Sequence, residues 1–252
     1  MSRDIQKYTK DYLSNDFETH MVYYRQKQEL AALNKYPHDR ILEIGCALDP
    51  MFMHLNTFSE YIIVEPSVAF CENASKLAEQ KNLSGRVKII NGFFEENPDL
   101  IQKITSAGKI DFILCSSILH EIEDPYRMLR AIQSVCTSKT VVHFNVPNSR
   151  SLHLLLAYES GLISTLDQLT DTAKRFQQHT PFNSQSLKEM LVSTGFSVME
   201  IGSYFIKPFS HAQMKTLLEG EIISLCVLDG LNNLIKYMPD FGAELFANCK
   251  LA

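Results

Sequence analysis

Glu43, Gly45 and Glu65 carry the first chemical signal in the chain. Ile41-Leu42-Glu43-Ile44 is a short apolar run that stops at Gly45-Cys46-Ala47. Such a run reads as a buried parallel strand passing into a tight loop. Gly45 can take a positive φ and lets a ligand approach the backbone closely. The pattern Glu43-x-Gly45-x-Ala47-x-Asp49 has one glycine where a dinucleotide fingerprint has three. It grips a pyrophosphate poorly, and the acid at the strand end repels one. A cationic ligand, or one with an amino group, suits it better. Tyr61-Ile-Ile-Val-Glu65 reads as the next strand. Glu65 lies 20 residues after Gly45, the spacing at which an open α/β sheet sets a carboxylate against a ribose diol. A carboxylate can accept from both vicinal hydroxyls.

Later polar residues gather at strand ends. Ser117-Ile-Leu-His120-Glu121-Ile-Glu-Asp124-Pro125 follows an apolar run, and its His-Glu-x-x-Asp order is not a zinc-binding His-Glu-x-x-His. No metal site is expected. After a fifth apolar run come Asn145, Asn148, Arg150 and His153, at the carboxyl edge where open sheets bind ligands. His143, alternating with Phe144, reads as a core histidine. Ser164–Thr180 is polar and carries Asp167, Asp171, Arg175, Gln177, Gln178 and His179. It reads as a cap inserted over an acceptor site.

The elements that must position these groups follow from periodicity. Residues 1–36 look helical up to Pro37, either packed on the sheet or closing over the ligand with a tyrosine or Arg25. Strands are expected at 40–46, 61–65, 87–92, 111–117, 139–147, 196–202 and 243–251. Helices are expected at 67–82, with Ser67 as N-cap and Val68, Cys71, Ala74, Leu77 and Ala78 facing the sheet, and at 126–136, 152–163 and 184–193, the last ended by Gly195. His211–Met238 is apolar at helical spacing, with Gly220 and Gly230 as breaks. It has more leucine and isoleucine than one helix face needs, which suggests a buried helix pair or a homodimer interface.

The chain has 252 residues, enough for one large α/β domain. Its net charge of −5 offers no basic surface for nucleic acid. No apolar run is long enough to span a membrane, and the first residues lack the apolar core of a signal peptide. The six cysteines include no C-x-x-C pair. They read as free thiols in a reducing cytoplasm.

Taken in order, these signals resemble the class I S-adenosylmethionine-dependent methyltransferases over residues 38–202. The resemblance rests on the Glu43–Asp49 motif, the acid Glu65, Gly92-Phe93-Phe94 after strand three, and Ser117-x-Leu-His-Glu-Ile-x-Asp-Pro125 after strand four. Ala47 and Asp49 depart from it, standing where the family has its second and third glycines. The resemblance implies a Rossmann-like α/β fold: a seven-stranded mixed sheet, last strand antiparallel between five and six, helices on both faces. It implies a single domain over 1–252, with a helical lid at 1–36 and helical insertions at 151–182 and 210–240.

It further implies S-adenosylmethionine as cofactor and S-adenosylhomocysteine as product. Glu43, Gly45, Cys46, Ala47 and Asp49 would meet the methionine end. Glu65 and Pro66 would meet the ribose, Gly92, Phe93 and Phe94 the adenine, and Cys115, Ser116 and Ser117 the methionine part. Tyr24 would reach in from the lid. His120 is the candidate base, with His153 and His179 as competitors, and Asn148 and Arg150 would hold the acceptor. The Val146-Pro147-Asn148 run resembles a subset acting on small polar acceptors in bacterial cell-surface pathways. That suggests O-methylation of a sugar, a nucleotide-sugar or a phosphate-type group in capsule or lipopolysaccharide assembly. The alternatives are a metabolite or natural-product methyltransferase, or a cofactor-binding protein of this fold without turnover.

Overall fold

The computed structural model describes residues 4–13, 17–166, 169, 173–174 and 177–252. Seven strands form one sheet: β1 (Arg40–Ile44), β2 (Glu60–Glu65), β3 (Val87–Asn91), β4 (Phe112–Ser116), β5 (Val141–Pro147), β6 (Phe196–Tyr204) and β7 (Glu244–Leu251). Their order is β3-β2-β1-β4-β5-β7-β6, parallel except for β7, which runs antiparallel to both neighbours. The sheet is the one the sequence leads one to expect.

Side chains alternate across each strand, so both faces need cover. Leu42, Ile44, Ile113 and Cys115 pack under α4 (Pro98–Ser106), α5 (Pro125–Val135) and α7 (Ser184–Ser193). Ile41, Tyr61, Ile63 and Leu114 pack under α2 (Glu18–Lys35) and α3 (Val68–Gln80). A third cluster, around Phe17, Tyr24, Tyr204, Phe205 and Phe246, joins the start of α2 to α8 (His211–Glu219) and α9 (Leu225–Asn233). Two further helices are α1 (Ile5–Leu13) and α6 (Leu152–Glu159).

Several expectations need correction. Of the first 36 residues, Ile5–Leu13 and Glu18–Lys35 are described as helix. Ser67 stands at the α3 N-cap but its side chain caps nothing; its hydroxyl meets that of Thr9 at 3.0 Å. Val68 is exposed because it opens the first turn, before the helix settles on the sheet. Gly220 ends α8, whereas Gly230 lies inside α9. Leu217, Leu218 and Leu231 pack on the third cluster, while Ile222, Leu225 and Val227 are exposed. Asp167, Asp171 and Arg175 of the expected cap lie outside the described residues. Among those residues no helix is long and apolar enough to cross a membrane.

Candidate active site

β1 and β4 are neighbours, with Glu43 opposite Leu114, and the chain leaves them in opposite directions across the sheet. Their carboxyl ends therefore flank the switch point where open α/β sheets bind ligands. A cavity of about 1160 Å³ opens there. Its floor is made of strand ends and the loops after them: Gly45 to Asp49, Glu65, Pro66, Gly92 to Glu96, Ser116 and Ser117. Its roof comes from α2, through Glu18, Val22, Arg25, Gln26 and Glu29, with Asp4 and Ile5 from the N-terminal segment and Lys174, Gln177, Gln178 and His179 from the cap.

The floor is fixed by backbone conformation. Gly45 has φ +75°, and a Cβ there would sit 2.6 Å from Ile118 Cδ1. Ala47 and Ser117 also hold positive φ, at 47° and 57°. Ala47 thus holds a left-handed turn without being a glycine, at a cost of about 1–2 kcal/mol. Glu65 pins the loop: its carboxylate accepts from the Cys46 amide at 3.0 Å and the Ser67 amide at 2.7 Å. Glu43 points down and back. It accepts from the Met51 amide at 3.3 Å and the Tyr61 hydroxyl at 2.9 Å. Burial, reinforced by the neighbouring Glu29 carboxylate, pushes its pKa up to about 8.

The roof is tied down by a buried polar chain that crosses the sheet. Ser117 donates to Asn145 Oδ1 at 3.0 Å. The Asn145 amide donates to the Tyr204 hydroxyl, which donates to Glu244. Glu244 receives Arg25 through both oxygens, at 3.0 and 2.5 Å, and Arg25 reaches Glu18 at 3.1 Å. Burial alone would raise the Glu244 pKa, but the Arg25 guanidinium outweighs it and keeps the carboxyl ionised. Asp49, at the rim, is held by Gln26 and His54, each at 3.0 Å.

Of the residues expected at the cofactor, Glu43, Gly45, Cys46, Ala47, Asp49, Glu65, Pro66, Gly92, Phe93, Phe94, Ser116 and Ser117 all line the cavity. Phe94 is buried in the core, which leaves Phe93 as the more open ring. Two do not line it. Tyr24 turns to the other side of α2, where it stacks on Phe205 at 4.4 Å and donates to Asp229. Cys115 falls on the core side of β4 by the two-residue period of the strand.

The acceptor expectations fare worse. His179 lines the cavity. His120 is buried in a short turn outside the wall, with Nε2 3.7 Å from Glu121 and its carbonyl taken by the His179 amide at 2.7 Å. His153 also lies off the cavity, its Nδ1 3.0 Å from the Ser151 hydroxyl, and desolvation keeps its pKa well below the usual value. Asn148 ties two loops together, donating to the Asp240 and Gly242 carbonyls at 3.0 and 2.8 Å. Arg150 is not in the wall. His143 is the core histidine expected, 2.8 Å from Asn248 Oδ1.

The roof residues Glu18, Gln26 and Glu29 were not singled out from the sequence. Their signal was a polar stripe at 18, 25, 26 and 29, the spacing of one helix face, on a helix whose other face carries Met21, Tyr24, Ala32 and Leu33.

The floor fits S-adenosylmethionine. A backbone approach that a Cβ would fill, a carboxylate at the ribose spacing and acids rather than cations suit a neutral adenosine joined to a sulfonium and an ammonium. Fold and site together define a class I S-adenosylmethionine-dependent methyltransferase. The family model described as "Methyltransferase domain" matches residues 12–201, and the chain belongs to that family. No curated protein matches it.

Among solved structures, a methyltransferase from Thermotoga maritima, described as a possible histamine N-methyltransferase, is 18% identical with a TM-score of 0.60, over 98% of this chain and 97% of that one. The N-methyltransferase NodS from Bradyrhizobium japonicum, in complex with S-adenosyl-L-homocysteine, is 14% identical with a TM-score of 0.54, over 94% and 89%. The [4+2]-cyclase SpnF is 15% identical with a TM-score of 0.56, over 86% and 76%. At these identities the likeness is one of fold.

Proposed function

We propose that the chain moves the methyl group of S-adenosylmethionine to a small-molecule acceptor bound under the α2–cap roof. The observation that carries this is the size and division of the cavity. About 1160 Å³ exceeds the roughly 300–1,000 Å³ of a pocket for one ligand. The cofactor motifs occupy only its floor, leaving the space beneath α2 and the cap for a second molecule. Bound S-adenosylmethionine supplies an electrophilic methyl carbon. The protein's task is to set an acceptor oxygen or nitrogen in line with the carbon–sulfur bond and to take up the acceptor's proton where it has one. Of the three histidines expected from the sequence to act as base, His179 is the one on the wall and is our candidate for that step.

A sugar or phosphate acceptor of capsule or lipopolysaccharide assembly was suggested by the resemblance of the Val146-Pro147-Asn148 run, with Asn148 and Arg150 as the residues that would hold it. Both lie off the cavity, so a small metabolite or natural product is the acceptor class we favour, in a cytoplasmic enzyme. The Asp4 backbone and the Gln177 side chain exchange two hydrogen bonds of 3.0 Å, which supports a lid formed by the N-terminal segment and the cap. We place a homodimer contact, if one forms, on exposed Ile222 and Leu225.

Calorimetry with S-adenosylmethionine followed by a mass-spectrometric screen of small acceptors tests the reading. Glu65→Ala should weaken cofactor binding by about 1.5–3 kcal/mol. Cofactor binding without transfer to any acceptor would instead favour a binding protein of this fold.

A further inference from the structure

The family pattern gives the methionine end of the cofactor to the strand-end acid, here Glu43. Each Glu43 oxygen accepts a hydrogen bond from within the protein, one from the Met51 amide and one from the Tyr61 hydroxyl. A second carboxylate lies above it. Glu29 of α2 is 5% exposed and is part of the cavity wall. Among the described residues no lysine, arginine or backbone amide hydrogen-bonds to it; Arg25, one turn away, is committed to Glu18 and Glu244. Burial pushes the Glu29 pKa up, and the nearby Ser116 hydroxyl works against that rise; Ser116 Oγ is itself buried and lacks a partner in hydrogen-bonding geometry among the described residues. Buried polar groups are nearly always satisfied. A carboxylate and a hydroxyl facing one cavity at the switch point are completed by a ligand that brings both positive charge and several N–H donors.

We propose that Glu29, with Ser116, is the counter-charge for a ligand ammonium group above the crevice between β1 and β4. The role that the sequence pattern lends to Glu43 passes to a residue on the preceding helix. Two ligands carry such a group: the cofactor, through its methionyl α-ammonium, and an amine acceptor. The inference rests on the methyltransferase reading only in taking S-adenosylmethionine as the cofactor.

The test is calorimetry on wild type and Glu29→Gln with three probes. These are S-adenosylhomocysteine, its deaminated analogue, and 5′-methylthioadenosine, which lacks the amino-acid tail. If the site serves the cofactor, Glu29→Gln should weaken S-adenosylhomocysteine about 10- to 100-fold, as for a charged hydrogen bond, and leave the other two unchanged. If it serves an acceptor, S-adenosylhomocysteine should be unaffected. Benzylamine should then bind the S-adenosylhomocysteine-loaded wild type more tightly than benzyl alcohol, and lose that preference in the variant. Equal weakening of all three probes, or no change in any of these affinities, overturns the proposal. Should the variant not fold, wild type still decides. Equal affinity for S-adenosylhomocysteine and its deaminated analogue, with no preference for benzylamine, also overturns it. Wild type that binds neither S-adenosylhomocysteine nor 5′-methylthioadenosine would remove the cofactor assignment itself, an outcome distinct from a flat Glu29 series.

Discussion

The floor and the roof of the cavity are built by different means. The floor is backbone: left-handed residues at 45, 47 and 117, and amides pinned on Glu65. Its parts are short stretches at the carboxyl ends of four adjacent strands, each shaped by its own loop. The roof is side chain: a helix held across the sheet by a guanidinium whose partner carboxylate is 219 positions away. A floor of this kind is set by local conformation and should tolerate little at single positions. A roof of this kind is set by charge pairing and should fail as a unit.

The comparison can be broken most sharply at Gly45. Gly45→Val must adopt φ +75° and place a Cβ against Ile118, so cofactor binding should vanish from calorimetry while circular dichroism still reports a fold. Retained affinity would show that the floor is not backbone-limited. Next in size is Arg25→Ala. It strands Glu244 and Glu18 in a buried site, and loss of one member of such a pair costs about 3–5 kcal/mol. Urea denaturation should show that loss. A change below about 1 kcal/mol would mean that the roof does not depend on the pair.

A smaller effect should come from Glu43. Its folded pKa of about 8 lies above the ordinary 4.5. Below 4.5 both folded and unfolded chains keep the proton. As the pH rises from there through 8, the unfolded chain sheds a proton that the folded one retains, so stability falls. The Tm of the ligand-free protein should drop between about pH 4.5 and pH 8, and drop less in Glu43→Gln. Parallel slopes would exclude Glu43 as the source. The smallest effects belong to residues off the wall. His120→Ala and Arg150→Lys should each change kcat by less than about tenfold, well short of the ~10²–10⁴ expected of a general base. A larger loss with unchanged Tm would bring either residue back to the acceptor.

The same division explains what could be read in advance. Strand order, the β1 loop and Glu65 were legible because apolar runs, small residues and spacing encode them locally. Tyr24 was misplaced because it and Arg25 are adjacent in sequence but point to opposite sides of α2, and nothing local says which side meets the sheet edge. Asn148, Arg150 and His153 follow β5 as acceptor residues would, yet β7 enters beside β5 and the Gly242 carbonyl claims the Asn148 side chain. Glu29 follows Gln26, Lys27 and Gln28, and nothing in that polar stretch marks it. Only the packing of α2 over the switch point buries it.

The Arg25–Glu244 pair also orders events in time. Synthesis delivers α2 early and β7 late, although β7 lies between β5 and β6. Until it arrives, those two strands present open edges, and Arg25 has no Glu244 to meet. A nascent chain can therefore complete every floor motif and still lack a ligand-competent chamber, which closes only when the final strand slides home.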